Sequence, residues 1–170
     1  MKLSAQEEYG MRCLLHLARC PQGQSMTIPE ISQLEGLSVP NVAKLMRLLR
    51  IGGLVTSVRG QSGGYILARA AEQITAVQVL EVLGGRFFST QFCDRHAGRQ
   101  KVCSHTVDCS LRALWTSIQA VLQELLGKTT VADLLRCEQD VSALIGDRTR
   151  ETLPMLGKNE TSAPYGRGSD

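Results

Sequence analysis

The sequence predicts a mainly α-helical fold that carries one small β-hairpin, and three observations predict it. Helical capping boxes, in which Ser or Thr is followed three residues later by Glu or Gln, occur at Ser4, Thr27 and Thr75. A glycine-rich stretch at residues 59–64 separates two short β-prone segments. Of the 170 residues, 43% are hydrophobic and only 4% aromatic, a composition that suits one helix-rich core.

Two helices are predicted before residue 37. Helix 1 covers residues 5–19 after the Ser4 cap. Its apolar residues recur at the spacing of one buried helical face and are Met11, Leu14, Leu15 and Ala18. A short second helix follows Thr27, is expected to point Ile31 and Leu34 inward, and is ended by Gly36.

A third helix is predicted after Ser38, which should cap it, with Pro40 in its first turn. Its core-facing stripe consists of Val42, Leu45, Met46 and Leu49. Two short helices joined by a glycine turn form a helix-turn-helix, whose second helix enters the major groove of DNA. The residues expected to contact DNA from this helix are Ser38, Pro40, Asn41, Lys44 and Arg47.

The glycine-rich hairpin is predicted to be the wing of a winged helix-turn-helix. Strands at 54–58 and 65–67 enclose it, with Arg59 at its base. Glycines permit close approach to phosphate, and an arginine can enter a narrow minor groove. A nucleotide-phosphate loop is disfavoured, because such a loop leads from a strand into a helix. The expected wing contacts are Arg59, Gln61, Ser62, Gly63 and Tyr65.

The charge distribution supports DNA binding. Residues 36–71 carry five basic side chains and no acid, within a chain whose net charge is only +3. A solvated basic surface is the alternative, but the helix-turn-helix pattern within the segment favours a face for phosphate backbones.

The C-terminal half is predicted to couple a cysteine loop to a long helix. A short helix after Thr75 should end near Gly84, and residues 86–109 form a loop without periodicity. The next apolar stripe suits packing against a second copy of the chain and consists of Leu111, Leu114, Trp115, Ile118, Val121, Leu122 and Leu125. Gly127 should end this helix, and Thr130 should cap a short one reaching Arg136.

These patterns predict four regions. They are a DNA-binding domain at 1–85, a cysteine loop at 86–109, a dimerisation helix with a short terminal helix at 110–145, and a disordered tail at 146–170. Two half-sites strengthen binding, so a homodimer on a palindromic double-stranded operator is expected.

Cys93, Cys103 and Cys109 lie within seventeen residues, and grouped thiolates favour soft metal ions. The remaining cysteines, Cys13, Cys20 and Cys137, are interpreted as small hydrophobic residues. Zinc held by the three thiolates and a histidine is an alternative, as is a metal-free thiol-redox switch. An iron-sulfur electron carrier is a further alternative, although it would need no DNA-reading helix.

No enzyme is expected, because hydrolase, nucleotide-loop and metalloprotease motifs are absent from the sequence. The first 20 residues carry charges throughout and lack a signal-peptide pattern. We therefore expect a cytoplasmic protein without a membrane partner, in which thiols stay reduced.

The chain resembles the family of bacterial winged-helix regulators that includes IscR, NsrR and RirA, over about residues 1–136. The resemblance is carried by residues 3–10 (LSAQEEYG), the wing at 58–65 (VRGQSGGY), Ile74-Thr75, and three cysteines before a long helix. It implies a homodimeric transcription regulator, a repressor, whose three cysteines hold a 2Fe-2S or 4Fe-4S cluster. Redox state, nitric oxide or the supply of iron and clusters would then set operator affinity.

The resemblance also bears on the fourth ligand. Members similar to IscR use a histidine three residues after the last cysteine, where this chain has Arg112. The nitric-oxide-sensing branch uses a carboxylate on the partner subunit's first helix, and the matching residue is Glu8. The alternative role of Glu8 is an ion pair with Arg12, one helical turn away. In that case His105 or His96 would be the fourth ligand.

This chain departs from the family pattern twice. Nine residues separate Cys93 from Cys103, where about five are typical, and Gln61-Ser62 replaces a common Pro-Gly pair in the wing. The first departure bears on the cluster type, and the second bears on the operator sequence.

Overall fold

The computed structural model of this chain describes residues 3–21, 24–60, 63–89, 92–93 and 108–156. The helices within these ranges are α1 (Ala5–Arg19), α2 (Ile28–Glu35), α3 (Val39–Ile51), α4 (Ala76–Gly84), α5 (Ser110–Lys128) and α6 (Glu138–Leu156). Strands β1 (Val55–Val58) and β2 (Gly64–Leu67) form one hairpin, and short 3-10 helices occur at Ala71–Gln73 and Asp133–Leu135. The predicted fold class, a mainly α winged helix-turn-helix with a long C-terminal helix, is confirmed.

Three helices begin at capping boxes, as predicted. Ser4, Thr27 and Thr75 each accept a hydrogen bond from the backbone N–H three residues on, and the side-chain oxygen at that third position accepts one from the backbone N–H of the cap residue. These bonds satisfy amides that the first helical turn leaves without partners. The starts of α1, α2 and α4 therefore follow from local sequence.

The core lies between α1, α2, α3 and α4. The predicted stripe of α3 is buried in full. On α1 the buried residues are Gly10, Cys13, Leu14 and Leu17, and the other predicted stripe residues are only partly buried. On α2, Ile31 is buried but Leu34 is 58% exposed, so its predicted inward direction is wrong. The short α2 presents too narrow a face to bury both side chains.

The hairpin pairs β1 with β2 in antiparallel register, from Val55 opposite Leu67 to Val58 opposite Gly64. Met26, in the segment before α2, extends this sheet. The Met26 N–H donates to the Tyr65 carbonyl at 3.0 Å, and the Tyr65 N–H donates back at 2.7 Å. The base of the wing is thereby fixed to the helix-turn-helix.

After α5 the chain returns to the winged-helix core. The Ala76 N–H donates to the Thr129 carbonyl at 2.7 Å, and the Val131 N–H donates to the Ile74 carbonyl at 2.8 Å. Val131 is fully buried among residues of the N-terminal half. The core of the predicted DNA-binding unit thus includes a strip of chain far beyond residue 85.

The C-terminal predictions need three corrections. Helix α5 continues through Gly127 to Lys128, because an unbroken ladder of hydrogen bonds tolerates one glycine. Thr130 accepts a hydrogen bond from the Asp133 N–H, but the capped element is the 3-10 helix at Asp133–Leu135. The predicted disorder from residue 146 is wrong up to residue 156, since α6 covers Glu138–Leu156.

Residues 157–170 lie outside the described ranges. Among the described helices, none combines the length and apolarity that crossing a membrane requires.

Candidate nucleic-acid interface and cysteine site

The side of α3 opposite its buried stripe is exposed and basic. Residues 40, 44, 47 and 51 recur at steps of three and four, which aligns them along one face of the helix. Pro40, Lys44, Arg47 and Ile51 are all exposed, and Asn41 is half-buried at the edge of this face. The structure therefore brings together the residues predicted to contact DNA from the recognition helix.

Ser38 occupies the N-cap of α3, but its side chain makes no capping hydrogen bond. The predicted cap is wrong in this respect, because Pro40 lacks an N–H and removes one of the two donors that a cap can use. No acidic residue lies in the first turn of α3. The positive end of this helix dipole therefore remains available to a phosphate oxygen.

The wing carries an exposed arginine on a glycine-rich turn. Arg59 is exposed, and Gly60 has a φ of 127°, a conformation that a residue with a side chain rarely adopts. The Gly63 N–H donates to the Gly60 carbonyl at 3.0 Å and closes the turn. Tyr65 is half-buried, and its backbone groups are bonded to the segment before α2. Gln61 and Ser62 lie outside the described residues.

Helix α1 places Glu8 at the surface, where its side chain is exposed. The alternative ion pair between Glu8 and Arg12 is not formed among the described residues. Instead, Arg12 Nε lies 2.6 Å from one carboxylate oxygen of Glu35, and His16 Nε2 lies 2.5 Å from the other. Glu35 is 6% exposed and ends α2, so this cluster ties α1 to the helix-turn-helix.

The cluster at Glu35 is a feature that the sequence does not predict. Arg12 and His16 stand four residues apart and share one side of α1, which is a weak signal for a common anionic partner. Nothing in the local sequence marks the acid that ends α2 as that partner, because α1 and α2 approach only in the folded chain.

Residues 85–89, here named the α4 extension, lead from α4 towards Cys93 and pack on α5. The ring of Phe87 meets Trp115 edge-on at a centroid distance of 6.3 Å. The Phe88 N–H donates to Gln119 Oε1 at 3.0 Å, and Phe88 is 8% exposed. Aromatic burial and one directional bond therefore hold the extension on α5.

Cys93 and Cys109 are free, half-buried thiols. Cys109 is the N-cap of α5, and its Sγ accepts a hydrogen bond from the Arg112 N–H at 3.4 Å. Cys103, His96 and His105 lie outside the described residues. Within the described ranges, no three side chains of His, Cys, Asp or Glu are gathered as a metal site.

The other cysteines differ in their surroundings. Burial, followed by the charge of Glu35, raises the pKa of the Cys13 thiol to about 11, which fits its interpretation as a small hydrophobic residue. Cys20 is half-buried, and burial raises its pKa too. Cys137 is exposed, so that interpretation is wrong for Cys137. It precedes α6, a helix that the sequence analysis did not predict.

The comparison with known families covers most of the chain. Residues 3–137 match the model of the Rrf2 family, described as iron-dependent transcriptional regulators. The chain belongs to this family. Protein rrf2 of Nitratidesulfovibrio vulgaris Hildenborough is 35% identical over 136 residues, which are 80% of this chain and 88% of that protein.

Two solved structures place this Rrf2-family chain among related regulators. CymR (YrzC), the global cysteine regulator of B. subtilis, matches with a TM-score of 0.63 and 28% identity, over 79% of this chain and 96% of that one. T. potens IscR matches with a TM-score of 0.61 and 30% identity, over 79% of this chain and 86% of that one. Transcriptional regulators of the family bind DNA and are typically dimeric.

Proposed function

We propose that this chain is a homodimeric transcription repressor whose affinity for a palindromic operator is set by an iron-sulfur cluster. The carrying observation is the pair of free, half-buried thiols, Cys109 at the N-cap of α5 and Cys93 four residues after the α4 extension that packs on α5. A half-buried thiol keeps access to a metal while its surroundings exclude much of the solvent.

DNA contact is proposed for the basic face of α3 and for the wing. Lys44 and Arg47 would bind phosphate or base edges in the major groove, and Arg59 would reach the minor groove. The uncapped start of α3 adds amides suited to a phosphate oxygen. Because the contacts are largely ionic, binding should weaken steeply as salt rises.

The donor chemistry fits a cluster, which Cys93, Cys103 and Cys109 would hold. When bound, an iron-sulfur cluster supplies a redox-active and oxidant-sensitive group. Glu8 of the partner subunit is the proposed fourth ligand, with His105 or His96 as alternatives. Its support is that Glu8 is exposed on α1 while Arg12, one turn on, is engaged by Glu35.

The dimer is proposed to form along α5. This helix of 19 residues has no buried residue, and Leu111 and Leu114 are 60% and 48% exposed. The other stripe residues are half-buried. Leaving the two leucines in water is costly, and the same helix of a second copy would cover them.

A pair of cysteine variants tests the cluster. Protein purified without air should be brown, with Mössbauer signals of 2Fe-2S or 4Fe-4S iron, and bleaching should change its affinity for operator DNA. Cys93→Ala should be colourless, and its operator affinity should not change under the treatment that bleaches the wild type. Cys137→Ala, which removes an exposed cysteine elsewhere, should match the wild type in both colour and response. A colourless wild type holding one zinc per chain would contradict the proposal in favour of the zinc alternative.

Replacing Glu8 tests the fourth ligand. Glu8→Ala should leave the thermal unfolding temperature unchanged, because the exposed side chain has no ion pair within the described part of the chain. It should shorten the lifetime of the cluster in air. Glu72→Ala, the loss of another exposed acid, is the control. A visible spectrum and a bleaching rate equal to those of the wild type would remove Glu8 from the site.

A second candidate function is a thiol-responsive regulator without a cluster. Its support is the similarity to CymR, described as a global cysteine regulator. In that case the purified protein would be colourless and metal-free, and its operator affinity would respond to oxidation of thiols alone.

A further inference from the structure

The last turn of α4, residues 82–84, contacts the recognition helix and α1 and leads directly into the α4 extension. Val82 packs against the end of the recognition helix, Leu83 and Gly84 pack against α1, and the chain then continues as the α4 extension towards Cys93.

The contact with the recognition helix is close. Gly52 is the C-cap of α3, and a Cβ placed on it would overlap the side chain of Val82. Val82 is β-branched and has little rotamer freedom, so it cannot easily turn aside. A displacement of α4 towards Gly52 would therefore press on the end of α3.

The contact with α1 is equally close. A Cβ on Gly10 would overlap Leu83, and a Cβ on Gly84 would overlap Glu7. The side chain of Gln6 also donates a hydrogen bond to the Leu83 carbonyl. The first turns of α1, which carry Glu8, are thus fixed to the same turn of α4.

The connection to the cysteines runs through the α4 extension. Gly85 follows with a φ of 82°, and Arg86 pairs with Glu81 at 2.9 Å. Phe87 and Phe88 are then held on α5 by Trp115 and Gln119. Cys93 lies nine residues after Gly84.

We propose that Val82 is a positioning residue that sets the recognition helix according to the state of the cysteine site. This inference rests on the proposed function. A shift of the α4 extension moves the last turn of α4, and the contact between Val82 and Gly52 passes the shift to α3, because tightly packed elements move as units.

The test compares Val82→Ala with Val77→Ala. Both valines are half-buried on α4, but Val77 lies towards α5, 3.9 Å from a Cβ placed on Gly127. DNA duplexes that bind the wild type are selected from a random library, once with cluster-loaded and once with cluster-free protein. The affinity of a selected duplex is then measured for both forms of the wild type and of each variant. In Val82→Ala the ratio of the two affinities should shrink by about three- to tenfold. Val77→Ala should keep the ratio of the wild type.

Three outcomes are decisive. A wild type with equal affinities in both forms would overturn the proposed cluster regulation and the positioning role with it. A responsive wild type with an equally responsive Val82→Ala would overturn the positioning role alone. If Val82→Ala does not fold, hydrogen exchange in the wild type decides: amides at residues 49–54 should change protection on cluster loading, and unchanged protection would overturn the role.

Discussion

At the base of the wing, Gly64 lies so close to the carbonyl group of Met26 that a Cβ would stand 2.6 Å from its oxygen. The contact is with backbone that is itself held by two hydrogen bonds between Met26 and Tyr65. Gly64→Ala should therefore destabilise the fold by about 2 kcal/mol, the cost of overpacking a site that cannot relax. Urea denaturation measures this change.

Gly146 provides a control of opposite sign. It lies within α6, and a Cβ there meets nothing within 4 Å. Gly146→Ala should stabilise the protein by about 0.5–1 kcal/mol, because alanine loses less backbone entropy in a helix. Equal effects of the two substitutions would show that the contact with Met26 does not limit residue 64.

Individual residues differ in how far the sequence predicts their roles. The caps at Ser4, Thr27 and Thr75 were predictable because both partners of each bond lie within four residues. Ser38 is also of a residue type that caps helices, but Asn41 stands where a capping box has Glu or Gln, and the Ser38 side chain makes no capping bond. Glu35 depends on the approach of two helices, and no local pattern indicates it.

At the scale of elements, a partly buried arginine on α6 binds two residues that follow α5. Arg148 Nη1 lies 3.0 Å from Asp133 Oδ2 and donates to Thr129 Oγ1 at 3.2 Å. Arg148→Met should destabilise the protein by about 2 kcal/mol, because it removes the nearer and more buried of the two arginines that pair with Asp133, whose side chain is 10% exposed. The other, Arg136, lies 3.4 Å from Asp133 Oδ1 and is 54% exposed.

The same helix offers a matched control. Arg150 pairs with Asp147 at 2.9 Å, but both side chains are exposed. Arg150→Met should change the free energy of unfolding by less than about 0.5 kcal/mol. Thermal and urea unfolding of both variants measure the difference, and similar losses would argue against a specific role of Arg148.

The contact between Arg148 and Asp133 predicts that the stability of the fold depends on pH in the acid range. Burial acts to raise the pKa of Asp133, but the Thr130 N–H and Arg148 outweigh it and hold the pKa below its ordinary value. Such a carboxyl stabilises the fold above its unfolded pKa of about 3.9 and loses this effect as the pH falls through its folded pKa. The stability difference between the wild type and Asp133→Asn should be constant at neutral pH and shrink below about pH 4. A difference that persists unchanged to pH 3 would contradict this account.

Helix α6 also shows where element prediction fails. Gly146 and Pro154 weaken the helical signal of residues 138–156, and the family match ends at residue 137. Contacts with the core, including the buried Thr152 and the partners of Arg148, supply what local propensity lacks. By contrast, α1 begins and ends as predicted because its cap and apolar periodicity agree.

At the scale of the whole molecule, the apolar stripe of α5 predicts the oligomeric state. Leu114→Asp places a charge in the proposed dimer interface, so it should convert the dimer to a monomer in light scattering after gel filtration. Operator affinity should fall by about tenfold or more, because one half-site is then bound alone.

Leu34→Asp is the control for this substitution. Leu34 is also an exposed leucine, but it lies on α2, away from the stripe. This variant should remain dimeric. A dimeric Leu114→Asp variant with full operator affinity would show that the two copies associate elsewhere.

The sequence alone determined the winged helix-turn-helix, the basic face of α3 and the presence of three cysteines before a long helix. Each of these follows from caps, periodicity and charge within a short window. Only the tertiary structure decided that Glu35 engages Arg12 and His16, that Val131 completes the core, and that Val82 lies against Gly52. These contacts join residues that are distant in the chain, and their geometry is set by the packing of whole helices.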